Sequence, residues 1–159
     1  MRTSAVGTLR VEHWFRATPE DVFDAWTSPL VLERWWTAYS GWVPSDCSVD
    51  LRVGGSYRLG MRAEDGHEYV VEGTYEEIRR PSLLRYTWCW QNDELHPGHT
   101  SVVSVCFESD RDGTTVLLDH SGLLSERSMT RHRDGWNGTL ASLEQAVFPT
   151  PPIGEGDQK

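Results

Sequence analysis

Positive charge is scarce in this chain. Lys and Arg number 15 against 24 Asp and Glu, giving a formal net charge of −9 at pH 7. Phosphate backbones are gripped by clustered cations, so no nucleic-acid partner is expected. Long apolar runs are missing too. No window approaches the roughly 18 consecutive apolar residues of a membrane helix, so no membrane span is expected. The first eight residues hold neither a hydrophobic signal segment nor a cleavage signal, which points to a cytoplasmic protein. Cysteine is sparse and odd in number. Cys47, Cys89 and Cys106 are widely spaced. They fit neither a disulfide framework nor a zinc site and read as small reduced hydrophobes. The phosphate-cradling and dinucleotide-binding glycine motifs are absent as well. No cofactor and no metal are therefore expected. Without repeats or an internal linker, residues 1–159 read as one domain. Its core is expected over about 8–148, with a disordered Pro- and Gly-rich tail over 149–159.

What the chain has in quantity is tryptophan: Trp14, Trp26, Trp35, Trp36, Trp42, Trp88, Trp90 and Trp136. Indole is large and apolar with a single donor, so it suits both cores and aromatic-binding pockets. The last of these lies in the stretch that organises the rest, Ser125 to Phe148. There Met129, His132, Trp136, Leu140, Leu143 and Val147 recur at steps of three or four, the period of one helix face. Ser125 is an N-cap, and Pro149 ends the helix. Gly135 and Gly138 sit inside it, each costing about 1 kcal/mol against alanine. Close approach to a neighbouring surface or to a ligand would offset that cost.

Upstream, Thr8 to Arg16 alternates as a half-buried strand. Thr18 caps a short helix with Pro19 at its first position, and Leu30 to Trp36 forms a second. Residues 37–46 read as irregular. Strands follow at 49–53, 56–63, 67–78, 83–91, 100–108 and 114–120, with Asp65-Gly66 marking a hairpin and a longer loop at 92–99. Their faces are unequal. Leu84, Tyr86, Trp88 and Trp90 oppose Arg85, Thr87, Cys89 and Gln91, so one face is buried and the other wet.

Seven strands at ~4.8 Å spacing span roughly 30 Å, whereas one helix with its side chains is ~10–12 Å wide. The helix cannot cover the apolar face alone. A curved sheet that wraps it leaves room inside for a small hydrophobic, aromatic molecule. Candidate lining residues are Trp36, Tyr57, Met61 and Tyr69 from the first half of the chain. The middle strands add Tyr86, Trp88, Trp90 and Val105. The last strand and the helix add His120, His132, Trp136 and Leu140. Solid packing of the same rings is the competing reading. Arg131 and Asp134 flank the inner stripe, at a cavity mouth or on a solvated helix face.

The order strand, two helices, six strands, long helix resembles the α+β helix-grip fold. The local sequence is similar to the START/polyketide-cyclase-like (SRPBCC) superfamily, and within it to the family of activators of heat-shock protein 90 ATPase. The matching words are Thr27-Ser28-Pro29, Trp35-Trp36 and Asp50-Leu51-Arg52-Val53-Gly54-Gly55, then Tyr86-Thr87-Trp88, His120-Ser121-Gly122 and Gly135-Trp136. The resemblance implies a curved antiparallel sheet of about seven strands around a long C-terminal helix. It also implies binding of a hydrophobic ligand, with a cyclase or aromatase or a chaperone-linked interaction module as alternatives; a hydrolase working by acid–base catalysis in the same cavity is a further alternative. Thr37-Ala38-Tyr39 stands where members of the family often carry Gly-Pro, so the cavity mouth differs. No counterpart of the separate N-terminal domain of the eukaryotic co-chaperone is expected.

If the cavity is catalytic, His120 and Tyr86 are the candidates, since imidazole titrates in the range that acid–base work needs. A core histidine bonded to backbone is the plainer reading. Asp119-His120-Ser121 is no triad, because neighbours on a strand point to opposite faces. His96 and His99 offer a loop metal site only if carboxylates join them. Monomer and homodimer both remain open.

Overall fold

A computed structural model describes residues 7–91 and 98–150. The sheet runs β1 (Gly7–Phe15), β2 (Val43–Val49), β3 (Ser56–Arg62), β4 (Glu68–Arg79), β5 (Leu83–Trp90), β6 (Ser101–Asp110) and β7 (Gly113–Leu123). Helices α1 (Pro19–Thr27) and α2 (Pro29–Trp35) follow β1, and α3 (Glu126–Ala146) closes the order. The seven strands pair antiparallel in the order β1-β7-β6-β5-β4-β3-β2. This is the α+β helix-grip architecture, a curved open sheet against a long C-terminal helix.

Local chemistry sets the helix starts. Thr18 accepts the Asp21 amide at 3.1 Å, and Ser125 accepts that of Ser128 at 3.0 Å. Each satisfies one of the amides a helix leaves open at its N-terminus. The inner strand faces bury Leu9, Val11, Phe15, Leu84, Val103, Val105, Val116 and Leu118. Asp119 and Arg85, at alternate positions, pair outside with Arg10 and Glu77.

One strand differs from the sequence reading. The second strand is Val43–Val49, not 49–53, and Arg52 to Gly55 is a turn closed by the Gly55 amide on the Arg52 carbonyl at 2.8 Å. Pro44 and the polar run after it masked this strand. It lies at the sheet's edge, where proline's missing donor is tolerated, and its register slips between Pro44 and Asp46. The last strand is also longer than 114–120, reaching Leu123. Most of the expected arm (1–7), tail (149–159) and polar loop (92–99) lies outside the described residues.

Helix α3 is held at its C-terminal half. Ser142 Oγ donates to the Trp35 carbonyl at 2.9 Å, Arg34 to the Ala146 carbonyl at 2.7 Å, and the His13 ring meets Glu144 at 2.6 Å. Leu140 and Leu143 are fully buried below these ties.

Candidate functional site

The N-terminal half of α3 faces something different. Arg131, His132, Gly135, Trp136 and Thr139 share one helix face and border a cleft of about 100 Å³. Across it stand Met61 of β3, Tyr69 of β4, and Trp88 and Trp90 of β5, with Trp36, Ala38, Tyr39 and Trp42 from the end of α2 and the loop after it. Trp36, Trp88 and Trp136 pack mutually, Trp88 to Trp136 at 4.9 Å and Trp36 to each of the others at 6.0 Å. Trp42 stacks on Tyr69 at 5.1 Å with the rings 7° from parallel. Tyr39 and Arg131 are solvent-exposed and mark the mouth.

The two helix glycines have separate reasons. A Cβ on Gly138 would lie 1.9 Å from the Ala38 carbonyl oxygen, so only glycine lets the loop after α2 approach α3. A Cβ on Gly135 would meet nothing within 4 Å. Its bare backbone borders the cleft and leaves it wider.

Two histidines sit beside the aromatic cluster, their rings 4.8 Å apart. His132 Nδ1 faces the Ser128 carbonyl at 2.8 Å and therefore carries the proton. Its Nε2 accepts the Trp90 indole N–H at 3.0 Å. His120 is the mirror case: Nδ1 accepts the Trp136 indole N–H at 3.0 Å, and Nε2 meets Ser101 Oγ at 2.8 Å. Each imidazole is thereby neutral, in opposite tautomers.

Three further indole donors are engaged. Trp14 donates to the Asp110 carbonyl, Trp26 to the Tyr86 hydroxyl and Trp35 to the Ala25 carbonyl. Trp36 and Trp88 differ from these. They are 2 % and 4 % exposed, and neither Nε1 has a partner among the described residues. Both rings line the cleft.

Among the sequence candidates, Trp36, Met61, Tyr69, Trp88, Trp90, His132 and Trp136 border the cleft. Tyr57, Tyr86, Val105, His120 and Leu140 face inward too, but lie off its lining, in the packed part of the core. Inward direction alone could not separate the two groups, because a cleft forms only where facing side chains fail to meet. Tyr57 spends its hydroxyl on the Thr87 carbonyl, and burial pushes its phenol pKa up. Burial does the same to Tyr86, whose hydroxyl takes the Trp26 N–H at 3.2 Å. Ala38 and Tyr39 were marked only as a departure at the cavity mouth, Trp42 and Thr139 not at all, and no periodic pattern marks the loop that carries the first three. His99 bonds the Gly122 carbonyl at 2.6 Å, and His96 lies outside the described residues. Among the described residues no cluster of three metal-ligating side chains occurs, and no helix is long and apolar enough to cross a membrane.

A larger concavity, about 450 Å³, lies on the opposite sheet face among Ser48, Arg58, Glu72, Thr74 and Gln91. Its cation is already spent: Arg58 bonds Asp46 at 2.8 Å and also Glu72. Its walls are polar and suit water, so size does not make it the site.

Residues 16–147 match the profile of the Activator of Hsp90 ATPase homolog 1-like protein family. The chain belongs to this family. No curated protein matches it. Among solved structures it is similar to a Chromobacterium violaceum protein at 26 % identity and TM-score 0.79, over 90 % of this chain and 98 % of that one. The AHSA1 protein of Silicibacter pomeroyi is 28 % identical at TM-score 0.76, over 87 % and 95 %. The AHSA1-like protein of Aeromonas hydrophila is 27 % identical at TM-score 0.72, over 88 % and 91 %. In this member of the Activator of Hsp90 ATPase homolog 1-like family, Ala38 and Tyr39 of the departing segment form part of the cleft mouth.

Proposed function

We propose that this chain binds a small aromatic molecule in the cleft between the N-terminal half of α3 and strands β3 to β5. The observation that carries the reading is an apolar, ring-lined space of about 100 Å³ beside a glycine with nothing within 4 Å of its absent Cβ. Closed apolar cavities of ~150 Å³ take up benzene. This cleft is smaller, but its open side lets a ligand extend past Tyr39 and Arg131. Ring-lined pockets with few polar groups are the usual form of small-molecule sites. A family fold compatible with ligand binding agrees with this reading.

Binding is preferred to acid–base catalysis because the groups suited to proton transfer are committed elsewhere. His120 lies off the lining with both ring nitrogens engaged. Tyr86 is buried, with its phenol pKa raised.

Titrating single-ring and fused-ring hydrocarbons and ketones against intrinsic tryptophan fluorescence tests the proposal. Trp36, Trp88 and Trp136 wall the cleft, so saturable quenching at one equivalent is expected. Flat fluorescence across the panel, together with an unchanged unfolding midpoint, would overturn it.

A further inference from the structure

The cleft's two unpartnered indoles say more about the ligand than its apolar walls do. Trp14, Trp26, Trp35, Trp90 and Trp136 each donate to a protein acceptor. Trp36 and Trp88, 2 % and 4 % exposed, have no partner on Nε1 among the described residues. A buried donor without an acceptor is destabilising, and native structures seldom leave one. Here two occur in rings 6.0 Å apart on the wall of one cleft.

We propose that the ligand is an aromatic ketone or a similar neutral ring with a carbonyl-type oxygen, which accepts hydrogen bonds from the Trp36 and Trp88 indole N–H groups once the two rings, whose nitrogens are covered in the empty cleft, turn toward it. The proposal rests on the binding reading above. Neutral oxygen fits better than carboxylate. Arg131, the cation on the lining, is solvent-exposed at the mouth, whereas the two donors are buried. A carboxylate reaching them would lose its hydration without gaining that cation. Two neighbouring indole donors are already spent. Trp90 is taken by His132 and Trp136 by His120, at 3.0 Å each.

The test compares acetophenone, ethylbenzene and benzoate, which share a ring and differ in the oxygen. Acetophenone is expected to bind about tenfold tighter than ethylbenzene, the weight of a hydrogen bond to otherwise unpaired donors. Benzoate should bind no tighter than acetophenone. In ¹H–¹⁵N spectra the indole signals of Trp36 and Trp88, assigned with Trp36→Phe and Trp88→Phe, should move downfield with acetophenone and not with ethylbenzene. Each Phe variant keeps a ring and loses a donor, so it should lower acetophenone affinity while leaving ethylbenzene affinity within about twofold. Equal affinities for the two neutral probes, tighter benzoate binding, or unmoved signals from both indoles would overturn the acceptor assignment while leaving binding intact. Failure of all three probes to bind would remove the binding reading, and this inference with it.

Discussion

The two halves of α3 share one sequence period and end in opposite physical states. In the C-terminal half Leu140 and Leu143 are aliphatic and fully buried, and bonds to Trp35, Arg34 and His13 pin it. From Arg131 to Thr139 the same face carries rings, a glycine and a histidine, and it borders open space. Small branched side chains on both sides of an interface can interlock. Large rigid rings contacting edge to face cannot fill every gap between them. One half of the helix thus holds the fold together, while the other half leaves room.

Leu143→Ala should break this contrast most strongly. It opens a void in the closed half, and an unfolding midpoint in urea should report a loss of about 2–5 kcal/mol. A cost below 1 kcal/mol would mean that half is loosely packed too. The two glycines sharpen the comparison next. Gly138→Ala drives a methyl into the Ala38 carbonyl. It should destabilise by about 1–3 kcal/mol although alanine is the better helix former. Gly135→Ala, four ångströms clear of any neighbour, should instead stabilise by up to about 1 kcal/mol. Equal signs for the two substitutions would contradict the contrast between the close approach at Gly138 and the open space at Gly135.

Alkaline pH probes the closed side without mutation. Burial raises the phenol pKa of Tyr57, Tyr75 and Tyr86, which pack on one another at 5.2 to 6.0 Å. Unfolded tyrosines ionise near pH 10. Above that pH the unfolded chain has given up protons that the folded chain keeps. Stability is therefore complete below about pH 10 and lost as pH rises further, by up to about 1.4 kcal/mol per pH unit for each tyrosine. Urea midpoints from pH 8 to 11 should show the fall, and Tyr86→Phe should make it shallower. A flat profile would mean these hydroxyls reach water.

Much of the fold was legible because it rests on periodicity and caps. The alternation Leu84-Tyr86-Trp88 marks a one-sided strand, and Thr18 and Ser125 mark helix starts, from residues adjacent in the chain. The family words around Trp35-Trp36 and Gly135-Trp136 added the topology. The edge strand at Val43–Val49 was hidden because Pro44 breaks the pattern and neither face is fully buried. The cleft was legible as a shape and less so as a membership. Sheet width against helix width calls for a gap, and Gly135 hints at where it lies. Whether Tyr86 or Tyr69 borders that gap depends on which rings meet across the core, and no local pattern encodes that. Trp36 and Trp35 are neighbours in the sequence, yet Trp35 finds the Ala25 carbonyl at 3.0 Å while Trp36 finds no acceptor among the described residues.

The most direct measurement fills the gap on purpose. Gly135→Leu sends a side chain into the cleft from a helix position that has space for it. Calorimetric titration of wild type and variant with acetophenone, alongside their urea midpoints, separates occupancy from folding. The variant should unfold no earlier than wild type and show no detectable binding. Undiminished binding by a fully folded variant would put the ligand elsewhere and contradict the account.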